Sequence, residues 1–339
     1  MRNLRWGRQS GLLAVCALAL SACGSPPPAS PPPITGVPSA SIEVALSNVG
    51  CTASGTCLAV GASNRLGGLA TVAEDRGARG PWRALAAPTL SPARIEATSC
   101  AATTCLVGGA QPTGTFLWRY DATARTIIPL NAPGGAQDVR ALSCSSDVAC
   151  ALVDSTSVVG AARLAFTTDA GATWSAPVSM PWTANATVTA LACASDSCLV
   201  AARTPSSVRL ESTNDAGATW TALAVPSAWR SLSDLTCWTT HCAALAQGDG
   251  AALVRSRDFG ATWTTLALAS STRAVACSNL TRCVVAGATS SGAGSLATVR
   301  ERRVHPLTLA YVPAALIGAA CGAHRCAVIG TSTLVALSN

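Results

Sequence analysis

The sequence predicts an all-β fold, a seven-bladed β-propeller of four-stranded blades with one short-loop disulfide in each blade. Three observations predict it: cysteines that recur in seven close pairs, apolar alternation flanking each pair, and a turn pattern present in three full copies.

At the N-terminus Arg2, Arg5 and Arg8 precede an apolar run over residues 11–20, a charged region feeding a short hydrophobic one. Ten residues are too few to cross a bilayer, which takes about 20. The run ends in Leu20-Ser21-Ala22-Cys23, which resembles the lipobox of bacterial lipoproteins. That resemblance implies cleavage before Cys23, lipid on its thiol, and an extracytoplasmic place on the cell envelope. The alternative is an ordinary secretory signal that leaves Cys23 as a spare thiol. Residues 1–22 are thus expected to be a signal peptide and 23–40 a lipidated cysteine with a Pro-rich linker, since Ser25-Pro26-Pro27-Pro28 and Ser30-Pro31-Pro32-Pro33 run extended and build no core. The propeller is expected over 41–339.

Charge is sparse in this chain. Without Arg2, Arg5 and Arg8, 23 − 3 = 20 basic residues face 16 acidic ones, a net of +4, and no basic run exceeds Arg302-Arg303. Nucleic acid is therefore not an expected partner.

Cys16 lies in the leader and Cys23 in the lipobox; the other fourteen cysteines form the ruler of the chain. They pair as Cys51 with Cys57, Cys100 with Cys105, Cys144 with Cys150, Cys193 with Cys198, Cys237 with Cys242, Cys277 with Cys283, and Cys321 with Cys326. From one pair to the next the chain advances by 49, 44, 49, 44, 40 and 44 residues, a period suited to units of four short strands. Even pairing in an exported chain points to disulfides. A metal is not expected, because zinc ligands sit closer together and only His241, His305 and His324 could complete a site. A solenoid would repeat in shorter units.

The fourth repeat shows the blade best. Residues 187–192 alternate into Cys193, and an apolar run leaves Cys198, which is the pattern of a hairpin clamped at its turn. A third strand is expected at 207–211 and a fourth from 219. The last repeat offers only three strands, so its fourth is expected from residues 34–41, closing the ring by exchange of chain ends.

Between the third and fourth strands, three repeats carry Thr167-Thr168-Asp169-Ala170-Gly171-Ala172-Thr173-Trp174, Thr213-Asn214-Asp215-Ala216-Gly217-Ala218-Thr219-Trp220 and Ser256-Arg257-Asp258-Phe259-Gly260-Ala261-Thr262-Trp263. These resemble Asp-box (BNR-type) repeats. The resemblance implies that Asp169, Asp215 and Asp258 tie down turn amides, that Gly171, Gly217 and Gly260 supply a strained backbone, and that Trp174, Trp220 and Trp263 pack beneath. Degenerate copies surround Asp75, Gly77 and Trp82, and Trp118 to Asp121. Proteins with this repeat include sialidases, sortilin-type receptors and photosystem II assembly factors, so it identifies architecture better than activity.

No catalytic residue is assigned. A sialidase-like site needs an arginine triad and a tyrosine nucleophile, yet Tyr120 and Tyr311 lack that context and no Phe/Tyr-Arg-Ile-Pro motif precedes the first blade. Phosphate loops, serine elbows and metal-binding histidine pairs are missing, and no cofactor is implied. Arg94, Arg140, Arg230 and Arg273 recur four to seven residues before a cysteine, and Trp182 and Trp229 occupy similar connectors. These six are the candidate partner-binding residues, with solvated connectors and plugged blade gaps as the competing readings. The resemblance to the assembly-factor group implies a non-enzymatic platform for an envelope protein or peptide. The competing class is a carbohydrate-binding or glycoside-hydrolysing propeller, which requires clustered acids and exposed aromatics on the loop face.

Overall fold

The computed structural model describes residues 45–63, 69–75, 82–86, 94–155, 161–181, 186–308, 314–330 and 334–338. The expected leader and linker, Cys23, the segment 34–41 and Trp182 lie outside the described residues. The described residues form 27 strands, numbered β1 to β27 along the chain and grouped into seven antiparallel sheets.

Each sheet begins with a strand that ends at or beside a cysteine: β1 (Ala45–Cys51), β5 (Arg94–Cys100), β9 (Asp138–Cys144), β13 (Thr187–Ala194), β17 (Trp229–Trp238), β21 (Thr272–Asn279) and β25 (Leu316–Cys321). The partner cysteine lies at the start of the second strand: β2 (Cys57–Ser63), β6 (Thr104–Gln111), β10 (Cys150–Ser155), β14 (Ser197–Arg203), β18 (His241–Gly248), β22 (Arg282–Ala288) and β26 (Arg325–Gly330). All seven expected disulfides are present, one per sheet, each joining directly opposed residues of a hairpin. The second strands are covered on both faces and so read as continuous apolar runs, as in Leu199-Val200-Ala201-Ala202, all buried.

The expectation of seven four-stranded blades is corrected: the described residues form six four-stranded blades, over residues 45–85, 94–130, 138–179, 187–223, 229–268 and 272–307. The remaining sheet has three strands, β25, β26 and β27 (Leu334–Ser338), because no described residue pairs with the outer edge of β27.

First strands of successive sheets touch in chain order, and β25 returns to β1, so they surround a central channel. Between neighbouring sheets lie apolar clusters. One joins Leu199 and Leu210 of the fourth sheet to Leu232 and Val254 of the fifth; another joins Leu46 and Ala59 of the first to Ile329 of the last. Each buried leucine contributes about 1.5–3 kcal/mol. The packing between sheets therefore carries the ring, while each small disulfide loop adds about 2 kcal/mol by chain entropy.

An irregularity recurs in the first strands. Pairing with the second strand passes over one residue, a β-bulge that frees a side chain from strict alternation. The residues passed over are Ser47, Glu96, Arg140, Thr189, Arg230, Arg273 and Ile317.

Candidate functional site

The bulges explain why arginines recur ahead of cysteines, since Arg140, Arg230 and Arg273 are themselves bulge residues. Several bulge side chains reach the next sheet. Ser47 Oγ donates to Ile95 O at 3.4 Å and Thr189 Oγ1 to Leu232 O at 2.6 Å. Glu96 accepts from Arg140 Nη1 at 3.0 Å.

The structure divides the four candidate arginines into two groups. Arg94 and Arg140, on neighbouring strands, share Glu96 and Asp138: Arg94 pairs with both carboxylates, and Arg140 Nη2 lies 3.0 Å from Asp138 Oδ2. The Asp138 side chain is only 6% exposed, so these arginines neutralise an acid that water hardly reaches. Arg230 donates through Nη1 to the carbonyls of Ser206 and Ser227, at 3.1 and 3.2 Å. Arg273 is exposed and has no hydrogen bond or ion pair among the described residues. Exposed Arg203, at the end of β14, lies on the face of the fourth sheet that packs against the fifth, whereas exposed Arg209, opposite Ala202 of that strand, lies on the other face. Sequence reasoning missed these two because they follow the second strand and not the cysteine ruler.

Trp229 does not face outward. It is 7% exposed and meets Trp263 edge-on at 5.9 Å, in the cluster between the fourth and fifth sheets. An indole in that place fills a joint and is not available to anchor a partner.

At the other end of the channel the seven first-strand cysteines all line one cavity of about 1740 Å³. Its wall is largely Ser, Thr, Ala and backbone; the charged residues in its lining are Asp147 and Asp234. Asp147 clamps the third sheet to the second, accepting from the amides of Thr103 and Thr104 at 2.8 and 2.9 Å and from both hydroxyls. Burial works to raise its pKa, but the hydrogen bonds together outweigh it and hold the carboxyl below the usual range. Asp234 accepts from Val275 N at 3.0 Å through Oδ2. The surrounding protein disfavours its charge and pushes its pKa up to about 6.

The three repeated turns share one geometry. In the first, Thr167 Oγ1 donates to Asp169 Oδ1 at 2.7 Å and accepts from Gly171 N at 2.9 Å. Asp169 also accepts from Thr173 N at 2.9 Å and Thr173 Oγ1 at 2.5 Å. Asp215 and Asp258 are bound in the same way. Their hydrogen bonds, foremost that from the following threonine hydroxyl, lower all three pKa values, to about 2 for Asp169 and Asp258. Ala170-Gly171, Ala216-Gly217 and Phe259-Gly260 all have positive φ, which is least costly at glycine. Trp174, Trp220 and Trp263 pack into the joints with the preceding sheets. These carboxylates are committed to folding.

Among the described residues no group of three or more His, Cys, Asp or Glu could hold a metal. No protein-family model matches the sequence, and neither does any curated protein. Solved structures do match in fold. YCF48 from Cyanidioschyzon merolae is 13% identical with a TM-score of 0.62, over 87% of this chain and 96% of that one. YCF48 bound to D1 peptide is 12% identical with a TM-score of 0.61, over 91% and 98%. An inactive virginiamycin B lyase from Staphylococcus aureus, with quinupristin, is 8% identical with a TM-score of 0.64, over 89% and 97%. At such identities the likeness establishes that this chain has the β-propeller fold that they share.

Proposed function

We propose that this chain is a membrane-anchored extracytoplasmic lipoprotein whose propeller is a non-enzymatic platform for an envelope protein or peptide. The Leu20-Ser21-Ala22-Cys23 sequence supports the anchor, and the three turns support membership of the Asp-box group. The observation that carries the docking reading is the uneven neutralisation of arginine. Around the second and third sheets Arg94 and Arg140 are matched by Glu96 and Asp138. Around the fourth to sixth, Arg203, Arg230 and Arg273 are exposed and take part in no ion pair among the described residues. Such a one-sided basic patch steers and orients an acidic partner. The peptide-bound YCF48 shows that a propeller of this fold can hold a peptide.

The carbohydrate reading lacks its expected feature. Among the described residues of the loop face, Glu96, Asp138 and Asp154 are bound to arginines and Trp229 is buried.

The test is crosslinking in intact cells, comparing the native chain with an Arg230→Ser/Arg273→Ser variant. A specific partner lost in the folded variant supports docking on this patch; an unchanged partner set refutes it. Arg94→Ser with Arg140→Ser makes a poor test, because it strands Glu96 and Asp138 and costs about 1–3 kcal/mol of stability. Palmitate labelling that is lost in Cys23→Ala tests the anchor.

A further inference from the structure

The channel cavity raises a question separate from the arginine patch. Its lining holds two carboxylates and, among the described residues, no arginine or histidine. Asp147 is used up by four donors from the second sheet. Asp234 has one, the Val275 amide on Oδ2, and its Oδ1 has no partner among the described residues. A carboxylate therefore faces a neutral cavity with no counter-charge.

Its placement is particular to β17. There a second irregularity sets two residues, Asp234 and Leu235, opposite Ala244 alone, and Asp234 takes a φ of 53°. Leu235 turns into the core. The result is a carboxylate presented to the channel. The other titratable groups on β17 and on the strands against it are Arg203, Arg209, Glu211, Arg230, His241 and Arg273. None of them lines the cavity.

We propose that the cavity ringed by the disulfides binds a small organic cation, an ammonium or guanidinium group held by Asp234. An anion would meet only carboxylates and neutral walls. A hard metal ion would need about six oxygen ligands, whereas one free carboxylate suits a single organic charge. Desolvation raises the pKa of Asp234, and an opposite charge bound beside it favours the ionised form.

The experiment titrates the purified full-length protein with benzylamine, phenylguanidine and, as the neutral comparator, benzyl alcohol, by calorimetry with amide NMR. At pH 7.5 both cations bind saturably at one site and shift the Val275 amide, and benzyl alcohol does not. Asp234→Asn keeps an oxygen acceptor for the Val275 amide but removes the charge, and it weakens binding by at least about tenfold. In the native protein the same loss follows lowering the pH from 7.5 to 5, which tests the charge without any variant. Absence of saturable cation binding, equal binding of benzyl alcohol, or an affinity indifferent to both pH and Asp234→Asn overturns the proposal.

Discussion

Replacing Asp234 by asparagine should make the protein more stable at neutral pH. The carboxyl has a pKa of about 6 in the folded chain against an ordinary 3.8. The folded state therefore holds its proton more tightly than the unfolded state does. Between about pH 4 and pH 6 the folded chain binds more protons, so stability falls as pH rises, and the whole loss is in place above pH 6. Two pK units correspond to about 3 kcal/mol. Asp234 is exposed on the channel side, and screening by the channel water reduces the figure to about 1 kcal/mol. Urea unfolding at pH 4, 5, 6 and 7.5 measures it. The asparagine variant should match the native protein at pH 4 and exceed it by about 1 kcal/mol at pH 7.5. A difference that stays flat across this range, or a variant weaker at pH 7.5, would refute the reasoning.

Asp75, 1% exposed, accepts from Arg325 at 2.9 Å and so joins the last sheet to the first across 250 residues of sequence. Asp75→Ala leaves the 13%-exposed arginine without that carboxylate and should cost about 3–5 kcal/mol by urea unfolding, whereas a change below 1 kcal/mol would show the joint to be held by its apolar cluster alone. Gly260→Ala forces alanine to a φ of 87° and a contact of 3.0 Å with Leu199, and should lower stability by about 1–2 kcal/mol in a thermal melt. The lowered pKa values of Asp169, Asp215 and Asp258 give the opposite sign to Asp234: their contribution is present above about pH 4 and is lost as pH falls toward 2. Tryptophan emission should hold its native form down to about pH 3 and shift below it, and Asp→Asn at all three should remove this acid transition from the difference curve.

What the sequence made legible was whatever repeats. The cysteine ruler located all seven hairpins because each pair closes the same turn between first and second strands. The turn pattern located the residues that bind one another, because their spacing is local. The fourth strand of the last sheet, expected from residues 34–41, falls outside the described residues. Pairings between sheets were hidden. Glu96 stands where other repeats carry serine, arginine, threonine or isoleucine, and nothing in one repeat announces that its neighbour neutralises it. Asp234 did leave a trace, since Arg230 lies seven residues before its cysteine while Arg140 and Arg273 lie four before theirs. Of the three additional residues, two lengthen the paired ladder and one is the surplus of the second irregularity of β17. Trp229 looked like a surface anchor because it follows a connector, but the entry of β17 lies directly over the joint that Trp263 also fills.

The residue passed over in each first strand has a consequence for how such a chain changes. A side chain there is released from the inside-outside rule that governs every paired position, so serine, glutamate, arginine, threonine and isoleucine all occupy it with the hydrogen-bonded ladder intact. The ring thus offers one interchangeable socket per sheet, set four residues before the cysteine in six sheets and seven before it in the fifth. Charge can be added, cancelled or moved from sheet to sheet by single substitutions, and the scaffold can be re-addressed to a different partner without being refolded.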